Sequence, residues 1–245
     1  MSSDKKPVFS IITVCYNSQD TIENTFKSVL NQSFQDFEYI IVDGGSTDGT
    51  LQIINRYKVL FNELGIIFKI VSEKDDGIYD AMNKGIKMSS GQYIALLNSD
   101  DTYELNALSI VQDNIQNYPD YDIYHGLLRF KKGHQTLRII GTSSLSISYF
   151  MIEHPTCFIS KDAYSKWGLY NLKYKLAADY DLISRMYKKG AKFFFIERII
   201  ANFSIEGRTY KGKLSQIETL MIMKDHGFIK PSTYLRRRLI LLLKK

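Results

Sequence analysis

The sequence predicts an α/β fold, a mostly parallel sheet flanked by helices with a smaller mixed region after it. Three observations point there. Within residues 1–103, apolar runs rich in β-branched residues alternate with segments of helical periodicity. The connections between them are short, as parallel strand–helix–strand units require. After about residue 104 the alternation loosens and neighbouring strand-like runs replace it.

Residues 8–15, VFSIITVC, read as a buried strand because apolar and β-branched residues continue without alternation. Asp20 is placed to cap a helix whose Ile22, Phe26, Val29 and Leu30 share one side. A second strand, FEYIIVD, stops at Asp43 and meets the loop GGSTDGT. A helix from about Thr50, a strand in IIFKIVSE, a helix in GIYDAMNKGIKM and a strand in QYIALLN follow in turn. Beyond them, ELNALSIVQDNIQNY is helical, and YDIYHGLLRF with QTLRIIG forms an antiparallel pair. HPTCFISKDAYSKWG is expected to be irregular, ADYDLISRMYKKG helical, AKFFFIERIIANFS two adjoining strands, and KLSQIETLMIMKDHG a last helix. The expected organisation is one domain over residues 1–225, with halves 1–103 and 104–225, then a basic and apolar tail over 226–245.

Ligands of parallel sheets gather beyond the strand carboxyl ends. Asn17, Asp43, Asp75, Asp76, Asn98, Asp100 and Asp101 all follow strand-like runs, so one rim of the sheet should be acidic. Asp and Asn also favour turns, which explains any one of them but not all together. The run LLNSDD is the sharpest case: two adjacent carboxylates repel, and a divalent cation would offset that cost.

The chain has 245 residues and a formal net charge of +6. The last ten residues, RRRLILLLKK, carry five cations and no acid, so the excess sits there rather than along a nucleic-acid groove. Two cysteines make a disulfide framework or a cysteine-rich zinc site unsuited. MSSDKKPVFS lacks the apolar core of a secretory signal, and the chain is expected to be cytoplasmic. The first strand leads into CYNSQD rather than G-x-G-x-x-G, and no G-x-x-x-x-G-K-[ST] loop occurs, which argues against dinucleotide and P-loop enzymes.

The order SIITVCYN, VDGGSTDGT, DDGIYDAMNKG, LLNSDD, then HPTCFIS and AADYDL, resembles the family 2 inverting glycosyltransferases of GT-A fold, a Rossmann-like architecture, over roughly residues 8–205. The resemblance implies a hexosyl donor bound as a nucleotide diphosphate sugar and a saccharide or lipid-linked saccharide acceptor in surface polysaccharide synthesis. It places Tyr16 and Asp43 at the nucleoside. A carboxylate accepts from a base imide, which uracil offers and cytosine lacks, so UDP is favoured; thymine and guanine also offer a donor there. Asp76 and Asn83 fall near the nucleotide, with Lys84 beside them, and His154 near the donor sugar or acceptor.

The family carries a D-x-D-like triplet for Mn²⁺ or Mg²⁺. Here it reads Asn98-Ser99-Asp100, which leaves Asp100 as the metal ligand, with Asp101 binding the ion through water, holding the donor sugar or capping the next helix. The family's acidic pair before an aromatic reads Ala178-Asp179 here, making Asp179 the match for the catalytic base. A loop at SIEGRTYKG, with Arg208 or Lys211, offers a cover for the diphosphate. Because Asn98 and Ala178 replace two family acids, a non-catalytic nucleotide- or glycan-binding module is the alternative. The segment YLRRRLILLLKK either lies against an anionic membrane surface as a peripheral contact or packs on the domain; its letters fit both.

Overall fold

The computed structural model describes residues 6–205 and 212–243. The first half runs β1 (Phe9–Cys15), α1 (Ile22–Leu30), β2 (Phe37–Asp43), α2 (Thr50–Glu63), β3 (Ile67–Ser72), α3 (Ile78–Met88) and β4 (Tyr93–Leu96). The second half runs β5 (Thr102–Tyr103), α4 (Ala107–Asn117), β6 (Ile123–Lys132), β7 (Gln135–Ile140), β8 (Phe158–Ser160), α5 (Lys161–Trp167), α6 (Ala178–Lys188), β9 (Phe193–Ser204), α7 (Lys213–Asp225) and α8 (Pro231–Leu243).

One sheet runs in the order β3-β2-β1-β4-β8-β6-β9-β5, with β7 paired to β6. The strands β3, β2, β1 and β4 are parallel; β8 enters antiparallel to both β4 and β6. Every residue of β1 and β2 is buried, which explains why neither alternates in sequence. Their side chains feed two cores. Ile12, Val14, Ile40 and Val42 pack with α3, α5, α6 and α7 on one face. Phe9, Ile11, Tyr39 and Ile41 pack with α1, α2 and α4 on the other. Close approach of α3 depends on Gly85, where a Cβ would meet Ile12 Cγ2 at 2.5 Å.

The structure revises three local expectations. HPTCFISKDAYSKWG is ordered into a 3₁₀ turn (His154–Thr156), β8 and α5, because Phe158 and Ile159 join the sheet while Ser160 Oγ accepts from the Ala163 amide at 3.1 Å and caps the helix. AKFFFIERIIANFS is one strand whose register on β6 shifts between Gly126 and Leu128, so it bends without breaking. The first helix starts at Ile22, after Thr21 rather than on Asp20.

The chain leaves β1 toward β2 and β3, then returns to β1's other side at β4. That reversal opens a crevice at the carboxyl ends of β1 and β4, the place where α/β sheets bind ligands.

Candidate active site

A cleft of about 560 Å³ occupies that crevice, walled by Cys15 to Ser18 after β1, Asn98 to Asp100 after β4, and Asp75, Gly77 and Ile78 at the start of α3. Phe203 of β9 closes another side. Tyr16 is half exposed there.

The loop after β1 is held in shape by the loop after β2. Asn17 takes a left-handed backbone, φ 48°, and its amide donates to Ser46 Oγ at 2.7 Å. Its Oδ1 accepts from the Thr47 amide at 2.8 Å. Below, Asp43 is fully buried. Its Oδ2 accepts from the Gly45 and Ser46 amides at 3.2 and 3.0 Å and from Ser72 Oγ at 2.7 Å. Its Oδ1 accepts from Ser46 Oγ and faces Cys15 Sγ at 3.6 Å. Five contacts engage a carboxylate that has about four lone-pair positions. Asp43 therefore organises the GGSTDGT loop from beneath and does not itself form the cleft wall. Burial, then the Asp43 charge, pushes the Cys15 thiol up, so it stays protonated.

At the start of α3 the structure chooses between two adjacent acids. Asp75 lines the cleft, accepts from the Gly77 amide at 2.9 Å and lies against Gly44, where a Cβ would meet its Oδ2 at 2.6 Å. Asp76 is exposed and borders a shallow groove with Leu172, Tyr174 and Lys175 instead. Residue type alone does not choose between them, since consecutive side chains in a loop diverge. Lys84 pairs with Glu73 at 2.9 Å and with Asp80 at 3.4 Å, so its charge is already engaged.

Asn83 and His154 converge on Tyr170. Asn83 Nδ2 donates to the Tyr170 carbonyl and Asn83 Oδ1 accepts from the Tyr170 amide, both at 2.9 Å. His154 Nε2 lies 2.6 Å from Tyr170 Oη. Burial lowers the His154 pKa, with Asp179 opposing, which favours a neutral ring. The Tyr170 ring in turn packs on Tyr79, centroids 5.4 Å apart. Tyr79 Oη donates to Asp179 Oδ1 at 3.0 Å. Asp179, at the first turn of α6, is thus tied to α3, whose own start lines the cleft. Neither Tyr79 nor Tyr170 drew attention in the sequence, because both read as ordinary packing aromatics.

After β4, Asp100 lines the cleft and Asp101 is buried beneath it. Asp101 Oδ1 accepts from the Ser204 amide at 3.2 Å, and its Oδ2 faces Asn98 Nδ2 at 3.5 Å. Burial, with the Asp100 charge adding, pushes the Asp101 carboxyl well above the usual carboxylate range. Asn98 Oδ1 is a buried acceptor without a hydrogen-bond partner among the described residues. An orphaned oxygen beside a carboxylate in one cleft is a donor set that suits a hard cation, whose remaining ligands would come from phosphate and water. Among the described residues no group of three or more His, Cys, Asp or Glu side chains is placed to hold a metal ion. Arg208 and Lys211 lie outside the described residues.

Similar proteins fit this arrangement. A Mycobacterium bovis protein named PGL/p-HBAD biosynthesis glycosyltransferase is 32% identical over 188 residues, spanning 76% of this chain and 72% of its own. The structure of S. aureus TarS 1-349 in complex with UDP-GlcNAc superposes with TM-score 0.73 at 19% identity, covering 97% of this chain and 72% of that one. Mannosyltransferase PcManGT from Pyrobaculum calidifontis, in complex with GDP-Man and Mn²⁺, gives TM-score 0.65 at 15% identity over 91% of this chain and 64% of that one. These likenesses give the GT-A fold that the sequence pattern implied. The description Glycosyl transferase family 2 matches residues 10–173, well over half of the protein, and with the mycobacterial relative it shows that this chain belongs to that family of glycosyltransferases.

Proposed function

We propose that the protein is an inverting, divalent-metal-dependent transferase that moves a sugar from a nucleotide diphosphate sugar, a UDP-sugar in the favoured reading, to a hydroxyl of a saccharide or lipid-linked saccharide. The observation that carries this reading is the acid-bearing cleft at the reversal between β1 and β4. Tyr16, half exposed on one wall, offers a face for the base, and Asp43 beneath fixes the loop that shapes the nucleoside end. Asp75 joins the donor residues; Asn83, Asp101 and His154 act from outside the cleft wall by holding neighbouring segments, and Asp76 stands exposed beside it. The mycobacterial relative's name, a PGL/p-HBAD biosynthesis glycosyltransferase, supports a biosynthetic acceptor.

Asp100 and Asn98 Oδ1 would hold Mn²⁺ or Mg²⁺. Bound there, the cation supplies Lewis acidity against the charge that grows on the departing diphosphate. Asp179 takes the proton from the acceptor hydroxyl as attack develops. Tyr79 Oη and the Tyr180 amide both donate to Asp179 Oδ1, at 3.0 and 2.8 Å, which leaves Oδ2 to receive that proton.

Asp179→Asn tests the assignment. Transfer is expected to fall by roughly 10²- to 10⁴-fold, while the UDP-sugar with Mn²⁺ still raises the melting temperature. Transfer equal to the parent removes Asp179 from the mechanism. If the parent binds donor and never releases UDP in the presence of acceptor, the chain is a binding module.

A further inference from the structure

Within the tail that the sequence leaves between two readings, the geometry of α8 separates them. At 100° per residue, Tyr234 and Leu241 fall on one side of the helix. Tyr234 is buried and Leu241 packs against the core shared with α7. The outward side carries Leu235, Leu239, Ile240, Leu242 and Leu243, between 47% and 73% exposed. The core thus takes one leucine of the LILLL run and leaves the others in solvent. Arg237 and Arg238 flank this apolar strip on its two sides and Arg236 sits within it; all three are exposed.

Their charge is not neutralised locally. Residues 226–245 contain no Asp or Glu. Asp225, the nearest acid in sequence, is taken by Lys224 at 2.9 Å, Lys173 at 3.7 Å and Tyr174 Oη at 3.1 Å. Among the described residues, Arg236, Arg237 and Arg238 make no ion pair with an acid, and Arg238 lies only over the Tyr234 ring, 5.9 Å from its centroid.

We infer that the outer face of α8 is a docking surface for an anionic lipid bilayer, lying in the interface plane with its leucines in the acyl boundary and its arginines among the headgroups. Thirteen residues are too few to cross a membrane, which takes about 20. A helix with an apolar strip edged by cations is instead the form that lies on one. Charge selects lipid over a second copy of the chain, because pairing two such faces would bring six arginines together. The strip is also wholly aliphatic, whereas protein interfaces concentrate aromatic residues. This inference stands apart from the catalytic assignment, since no cleft residue takes part.

Sedimentation of the full chain with vesicles tests it. Vesicles of phosphatidylcholine mixed with phosphatidylglycerol should carry the protein down at low salt, and phosphatidylcholine alone should not. Each arginine changed to glutamine should weaken binding roughly fivefold. Leu239→Ser with Leu242→Ser, both on exposed positions, should abolish binding with the circular dichroism spectrum unchanged. Equal binding to both vesicle types, no binding to either, or a dimer of the parent that the double serine variant dissolves would each overturn the proposal.

Discussion

Tyr79 Oη donates a hydrogen bond to Asp179 Oδ1 across 3.0 Å, joining helices whose sequence positions lie 100 residues apart. Burial, with the Asp179 charge adding, pushes the Tyr79 phenol far up, so it remains a donor throughout the working range. The bond fixes the carboxylate against α3, the helix whose first residues line the cleft, while Asp179 itself is not part of the cleft wall. Tyr79→Phe keeps the ring that packs on Tyr170 and removes only the hydroxyl. A hydrogen bond to a charged group contributes about 1.5–3 kcal/mol. Steady-state kinetics should show kcat falling roughly tenfold to a hundredfold with KM for the donor little changed. A raised KM at constant kcat would place Tyr79 in donor binding instead.

Asn83 bridges α3 to the Tyr170 backbone with two hydrogen bonds in a buried setting. Asn83→Ala leaves a buried amide and a buried carbonyl unpaired, at about 1–3 kcal/mol each. Urea unfolding should show that loss, and the affinity for UDP should hold in the folded variant. Unchanged stability with lost UDP affinity would return Asn83 to the nucleotide, as the family resemblance implied.

Asn98→Asp restores the acid that the triplet lacks. Without metal the variant should melt lower, because the new carboxylate replaces an amide donor facing the buried Asp101 at 3.5 Å. With Mn²⁺ the loss should reverse, since binding to the native state alone adds stability. Half-maximal activity should also need less Mn²⁺ than in the parent. If added Mn²⁺ has no effect on melting in the parent or the variant, the cleft does not hold the ion through these residues.

His125 on β6 is fully buried, and neither ring nitrogen has a hydrogen-bond partner among the described residues. Phe195 lies against it, centroids 5.3 Å apart. Desolvation lowers its pKa from 6.5 to about 4. Above 6.5 the ring is neutral folded and unfolded, so it causes no pH dependence. Below 6.5 the unfolded chain binds a proton that the native state refuses, and stability falls until about pH 4, by up to about 3 kcal/mol. His154 adds to the same trend, its pKa being lowered by burial against the opposing Asp179 charge. In His125→Phe, the slope of unfolding free energy between pH 6.5 and 4 should flatten. An identical slope would assign the dependence to other groups.

The first half was readable in the letters because β1 and β2 are buried on both faces and the helices on one, so burial is written directly as apolar runs and periodicity. The acidic rim followed from topology, since every strand-end loop of a parallel sheet emerges on the same edge. The second half was less so. Phe158 and Ile159 form a strand only because β4 and β6 offer edges on both sides, and no local pattern of three residues announces that. AKFFFIERIIANFS stays one strand because β6 bends with it, which is a property of the pair.

What the sequence determined by itself was the fold class, the family and the identity of the loops that meet at the cleft. Those depend on hydrophobic pattern and on residue types at fixed spacing. Which atom of each loop faces the cleft was decided by tertiary structure alone: Asp75 rather than Asp76, Asp43 turned under its own loop, Asn83 and His154 spent on Tyr170. Side-chain direction in a loop is set by the hydrogen-bond partners that distant segments bring. The exposed leucines of α8 make the same point, because a leucine is read as core until the packed domain shows there is no core left for it to join.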